Sequence, residues 1–166
     1  MFKAIVVMAA LATGLAPMAS AQLNTRDKAF VTKLAKANTY EIQAAQKAES
    51  MASNARYKPY AQMIINDHTK AGNELKSIVA KADPSMQLPT DVSQTQQGHL
   101  DALQNAGNNF DTTYRDQMIA THVAALKLVE NYVAQSGDNP QVKHFARSLE
   151  PVLHKHLRKA KKLPKQ

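Results

Sequence analysis

This sequence predicts an all-α fold: four long amphipathic helices packed as a bundle around one core, preceded by a removable leader. Three observations carry that prediction. Apolar residues recur at alternating steps of three and four along four separate stretches, the spacing of a helix's buried face. Composition agrees, with no Trp, only 5 Gly and 5% aromatic residues in a chain of 166, which disfavours a sheet. Pro, Gly and Asn punctuate the chain where helices would have to stop and restart.

The leader comes first. Lys3 precedes an apolar run from Ala4 to Ala16, and Ala19-Ser20-Ala21 supplies small residues before Gln22. That is the pattern of a secretory signal peptide over residues 1–21, and the run is short for a membrane span of about 20 residues. The domain proper is then 22–166, enough for a single core. Without Cys, neither a disulfide framework nor a lipoprotein anchor is available. The expected compartment is the periplasm. The formal net charge is +8, or +7 once Lys3 is removed. An exported chain is not expected to meet nucleic acid, so the charge points to anionic envelope polymers, a membrane surface or plain solubility.

The first long helix starts at Asn24 or Thr25, either of which can cap the first-turn amides. Its stripe is Phe30, Leu34, Ala37, Ala44, Ala48 and Met51, and the step between Ala37 and Ala44 is Glu41. It ends near Ser53-Asn54, and Pro59 suits the first turn of the second helix. There the stripe is Ala61, Ile64, Ala71, Leu75, Ile78 and Ala82, with His68 in the middle step. Asp83-Pro84 and Leu88-Pro89 end it. Residues 83–109 form a long connection containing a short helix over Ser93–Asn105, which packs Leu100 and Leu103. A connection of that length can run the height of a bundle, so the flanking long helices need not be antiparallel.

The third long helix takes Asp111 as N-cap and reads Phe110, Tyr114, Met118, Ala125, Val129 and Tyr132, with His122 in the gap. Gly137-Asp138-Asn139-Pro140 is a stop followed by a restart. The fourth helix reads Val142, Phe145, Leu149 and Val152, and its next step is His156. Pro151 is expected to interrupt or kink it. The tail from Arg158 to Gln166 puts positive charge at the negative end of this helix.

Each long helix therefore carries one polar residue in an otherwise apolar seam: Glu41, His68, His122 and His156. Counted from the turn inside each helix pair at about 1.5 Å per residue, Glu41 and His68 differ in height by roughly 5 Å, and His122 and His156 by roughly 3 Å. All four lie near mid-helix whichever way the long connection runs. Three imidazoles and a carboxylate can hold one divalent transition ion, Zn, Fe, Cu or Mn. The alternative is a metal-free polar core in which Glu41 pairs with the histidines. Asp67, beside His68, is either a support for the site or a surface ion pair. Tyr40 and Tyr114 are placed to hydrogen-bond a site member or to pack in the core. A Gly-rich phosphate loop, a nucleophile elbow and a CxxC pair are all missing, so no reaction is named.

Asp27-x-x-Phe30 with a later Glu41, Met63-x-x-x-Asp67-His68, Phe110-Asp111-x-x-Tyr114 followed by His122, and Pro151-x-Leu153-x-x-His156-Leu157 occur in that order. Through these motifs, which span most of Asn24–Leu163, the chain resembles the bacterial family known as domain of unknown function 4142, placed among ferritin-like folds. The resemblance implies an exported four-helix bundle with a long crossover between the second and third long helices, and it suggests a metal. The sequence departs from the di-iron pattern of that fold, which puts Glu-x-x-His on two helices. No helix here has that spacing, and Glu150 with His154 is one residue too long. A mononuclear ion fits the residues better than a di-iron centre or an iron store. The expectation is thus an exported bundle holding one divalent ion through Glu41, His68, His122 and His156. Its rival is a non-enzymatic envelope-interaction or stress protein with a structural Glu/His core, meeting partners through its surface and basic tail.

Overall fold

Capping residues set the helix limits. In the computed structural model, which describes residues 22–135 and 138–165, α1 runs Thr25–Met51. The Asn24 side chain accepts from the amides of Arg26 and Asp27, and the Asp27 carboxylate accepts from the Asn24 amide, a reciprocal cap. Helix α2, Tyr57–Ala82, carries Pro59 in its first turn. Helix α3, Gln94–Gln104, opens on a second reciprocal cap between Ser93 and Gln96. A 3-10 turn, Gly107–Asn109, with Gly107 at φ 54°, leads into α4, Phe110–Val133. Helix α5, Pro140–Lys161, starts on the Asn139 cap with Pro140 in its first turn. The described residues form an all-α chain without strands. None of these helices is long and apolar enough to cross a membrane. The leader expected over 1–21 and the stop expected at Gly137 lie outside the described residues.

Two expectations change. Asp111 is not the cap of α4, which begins one residue earlier at Phe110. Its buried carboxylate accepts from the Ser53 amide at 3.0 Å, the Ser53 hydroxyl at 2.8 Å and the Asn54 amide at 2.8 Å. A buried carboxylate needs hydrogen-bond donors, and the turn between α1 and α2 supplies them. Pro151 does not interrupt α5, which continues as helix to Lys161. Pro151 and Arg147 are both exposed, so water can take the carbonyl that Pro151 leaves unbonded.

Helix α1 packs along α2 and α4 along α5, while α1 also meets α4 and α2 meets α5. Contacts at the ends give the directions. Lys28 pairs with Asp83 at 2.7 Å, joining the start of α1 to the end of α2. Buried Asp27 accepts from the Tyr132 hydroxyl at 2.5 Å and from the Asn139 amide, joining the start of α1 to the end of α4 and the start of α5. The Tyr57 hydroxyl donates to the Pro164 carbonyl at 2.7 Å, at the other end. Neighbouring helices are therefore antiparallel, and α2 and α4 are parallel. Residues 83–109 cross from one end to the other, with α3 packed on α1 and α4.

The core divides into two clusters. Val31, Leu75, Val129, Val142 and Phe145 fill the half near the start of α1. Tyr57, Ile64, Leu103, Tyr114 and Met118 fill the other half. The polar level of the four seams lies between them.

Candidate metal centre

The seam gaps on α2, α4 and α5 bring their histidines to one point. Helix α5 borders both α4 and α2, which face each other diagonally, so His68, His122 and His156 meet at the centre. Their ring centroids are 5.9 Å apart for His68 and His122, 5.4 Å for His68 and His156, and 5.2 Å for His122 and His156. Each ring offers one nitrogen to a common group in which all three lie within 4.8 Å of one another. His122 and His156 are fully buried. His68 keeps some exposure, but its Nε2 is buried and has no hydrogen-bond partner.

The outer nitrogens fix the proton positions. His68 Nδ1 lies 3.0 Å from Asn38 Oδ1, His122 Nδ1 lies 2.8 Å from the Met118 carbonyl, and His156 Nε2 lies 2.8 Å from Asp67 Oδ2. All three partners are acceptors, so each outer nitrogen carries its ring's hydrogen and donates it. The inner nitrogens, His68 Nε2, His122 Nε2 and His156 Nδ1, are then bare lone pairs. His122 Nε2 and His156 Nδ1 stand 3.2 Å apart, and a hydrogen bond between them would need a third proton on two rings. Burial lowers His156 to about 4 against the opposing effect of the hydrogen bond it donates to Asp67, with His122 adding to the lowering. Burial, reinforced by His122 and His156, lowers His68 to about 3. At neutral pH the lone pairs point inward, close enough together that the three rings could hold one metal ion.

The two carboxyls differ. Burial raises Asp67, but hydrogen bonds from His156 and from Lys155 at 3.0 Å outweigh it and hold the group below its ordinary value. Burial raises Glu41 above its ordinary value despite the nearby His122 and a hydrogen bond from Thr121. Glu41 Oε1 accepts from the Thr121 hydroxyl at 2.5 Å and lies 3.6 Å from His122 Nδ1, while Oε2 is buried without a partner. Of the four seam residues, the three histidines converge. Glu41 stands behind His122, against its outer nitrogen, and is not in the converging group.

Other side chains fall into place around this. Asp67 both supports His156 and pairs with Lys155. Tyr40 donates to Gln117 rather than to a site member, and the Tyr114 hydroxyl has no partner. Asn38 and Thr121 escaped the seam pattern. Their only signals are that Asn38 precedes Glu41 by three on one helix face and that Thr121 adjoins His122. Gly72 makes room for Asn38, since a Cβ there would sit 2.8 Å from Asn38 Nδ2.

Beside the histidines lies a cavity of about 180 Å³, lined from all four long helices and including Glu41, Asp67, His68 and His156. Ala37, Ala71, Ala125, Leu149 and Val152, expected as core, line this space and are only partly buried.

Over residues 12–163 the sequence matches the family described as Domain of unknown function (DUF4142). No curated protein and no solved structure matches the chain.

Proposed function

The chain belongs to the DUF4142 family, and we propose that it is an exported, periplasmic, ferritin-like four-helix bundle whose His68, His122 and His156 bind one divalent transition ion. The proton count carries this reading. Every ring hydrogen is committed outward, leaving three inward lone pairs, two of them on nitrogens 3.2 Å apart. Neutral imidazoles suit Zn, Cu and Fe better than Mn, which prefers carboxylate oxygens, and the carboxylate and carbonyl behind them are the usual means of orienting such ligands. Two antiparallel pairs joined by an end-to-end crossover support the ferritin-like assignment. Three imidazoles with no carboxylate in the group favour a mononuclear centre, with Glu41 outside it behind His122. The exposed Arg158, Lys159, Lys161, Lys162 and Lys165 suit an anionic envelope surface as partner.

Metal titration of untagged protein tests the reading. The expected result is one Zn²⁺ or Co²⁺ per chain and a higher melting temperature, with about 2.7 kcal/mol of added stability at a hundredfold excess over Kd. His122→Ala should lose both. No uptake, or equal uptake by His122→Ala, contradicts the proposal.

A second reading has one observation in its favour. One added proton on His156 would complete its hydrogen bonds to both Asp67 and His122, giving a metal-free polar core in a non-enzymatic envelope or stress protein. The two readings predict opposite pH dependences for the apo protein. In the metal-free polar core a charged His156 would have a raised folded pKa, and stability would be greatest in acid and lost as pH rises. Neutral histidines with lowered pKa values lose stability as pH falls.

A further inference from the structure

The space beside the histidines has a definite chemical character. Its volume is about 180 Å³, and a dry cavity of about 150 Å³ in another protein holds benzene. Leu34, Leu75 and Phe145 are among its lining, and Ala37, Ala71 and Ala125 line it at seam positions where a larger residue would fill it. His68 and His156 are part of its wall, and the buried His68 Nε2 has no protein partner. Among the polar residues around it Asn38 is engaged with His68, Asp67 with His156 and Lys155, and Thr121 with Glu41, whose own Oε2 has no partner.

An ion held by three uncharged imidazoles keeps both positive charges. The ionised Asp67 is already shared between His156 and Lys155, and Glu41 stands behind His122 outside the converging group, so the ion favours an anionic oxygen from outside the protein. The rest of that molecule must lie against alkyl and aromatic carbon. We propose that the cavity binds a small apolar monocarboxylate, with its carboxylate on the ion and a body about the size of a six-membered ring among Ala37, Ala71 and Ala125. This rests on the metal reading above and adds the class of ligand that the centre takes.

The experiment uses the full mature chain loaded with Co²⁺, whose visible spectrum reports a new ligand, and calorimetry on the Zn²⁺-loaded form. Benzoate should change the cobalt spectrum and bind at least about tenfold more tightly than acetate, which has the same carboxylate and almost no apolar body. Ala125→Leu should keep its metal and lose about tenfold or more in benzoate affinity, because the leucine occupies the space. Ala71→Val supplies the same test from α2 if the leucine variant does not fold. Equal binding of benzoate and acetate, or full benzoate affinity in both filled variants, overturns the proposal. Failure of the wild type to take up metal overturns the metal reading and the carboxylate half with it. The apolar half is then judged separately, by a melting shift with benzene on the apo protein. That shift should appear in wild type and His122→Ala and vanish in Ala125→Leu, and its absence from wild type overturns that half as well.

Discussion

Asp67→Asn removes a charge while nearly preserving shape, and its effect can be worked from the contacts. Asp67 Oδ2 accepts from His156 Nε2 at 2.8 Å and from Lys155 Nζ at 3.0 Å. A hydrogen bond to a charged group contributes about 1.5–3 kcal/mol against about 0.5–1.5 for a neutral one, so the swap costs on the order of 1–2 kcal/mol. The Lys155 pair adds little, because both side chains are substantially exposed and such pairs are screened. Coordination through His156 Nδ1 makes the Nε2 hydrogen more acidic and strengthens its bond to a carboxylate more than to an amide. The loss therefore falls on the metal-bound state, as a five- to thirtyfold drop in affinity, roughly 1–2 kcal/mol. An amide turned with its NH₂ toward Nε2 would drive the ring hydrogen to Nδ1 and block the ion, which acts in the same direction. Competition for Zn²⁺ against a chromophoric chelator measures the affinity, and urea unfolding checks the fold. Affinity within about twofold of wild type, in a folded variant, would refute the idea that Asp67 holds His156 for coordination.

Three further outcomes follow from the same geometry. Because His68 lies at about 3 and His156 at about 4 in the fold, against about 6.5 when unfolded, the native protein binds fewer protons and apo stability should fall as pH drops from about 6.5 toward 4. The His156 share is roughly 3 kcal/mol over the whole window, of which roughly 2 is lost by pH 5; urea midpoints at pH 7.5 and 5 read that part, and a rise on acidification would favour the metal-free polar core. Gly72→Ala places a Cβ 2.8 Å from Asn38 Nδ2 and should push Asn38 off His68, lowering Zn²⁺ affinity by about tenfold. The same change gains about 1 kcal/mol of helix propensity, so its urea midpoint should move little. Glu41→Gln keeps the side-chain shape and an acceptor for Thr121, and should leave Zn²⁺ affinity within a few-fold of wild type. A loss beyond about tenfold by the same competition assay would mean that Glu41 is itself a ligand.

Much of the architecture was legible because its signals are local. Asn24 caps α1 as its place before the first apolar step indicates, and the short helix and the restart at Pro140 begin within a residue of where the punctuation puts them. The seam gaps located His68, His122 and His156, since a polar residue at an apolar step must be buried wherever the helix packs. Spacing fixes height and face but not the angle at which neighbouring helices cross. Asp67, one step off the α2 seam, reaches His156 because α2 lies directly beside α5. Glu41, squarely in its seam, meets the back of His122 because α1 borders α4. Asp111 was misplaced for a related reason: its claimants, the amides of Ser53 and Asn54, are more than fifty residues away in sequence. The cavity left no trace in the pattern, because an alanine facing a void and an alanine packed against carbon read alike. Only the distance between helices separates them.

X-ray absorption at the metal edge of the Zn²⁺-loaded, untagged protein tests the central claim most directly. Three imidazole nitrogens at about 2.0–2.1 Å and one ion per chain are expected, with the imidazole signature falling to two in any variant of His68, His122 or His156 that still holds metal. Zinc bound mainly through carboxylate oxygens, or a spectrum unchanged by replacing all three histidines, would contradict it.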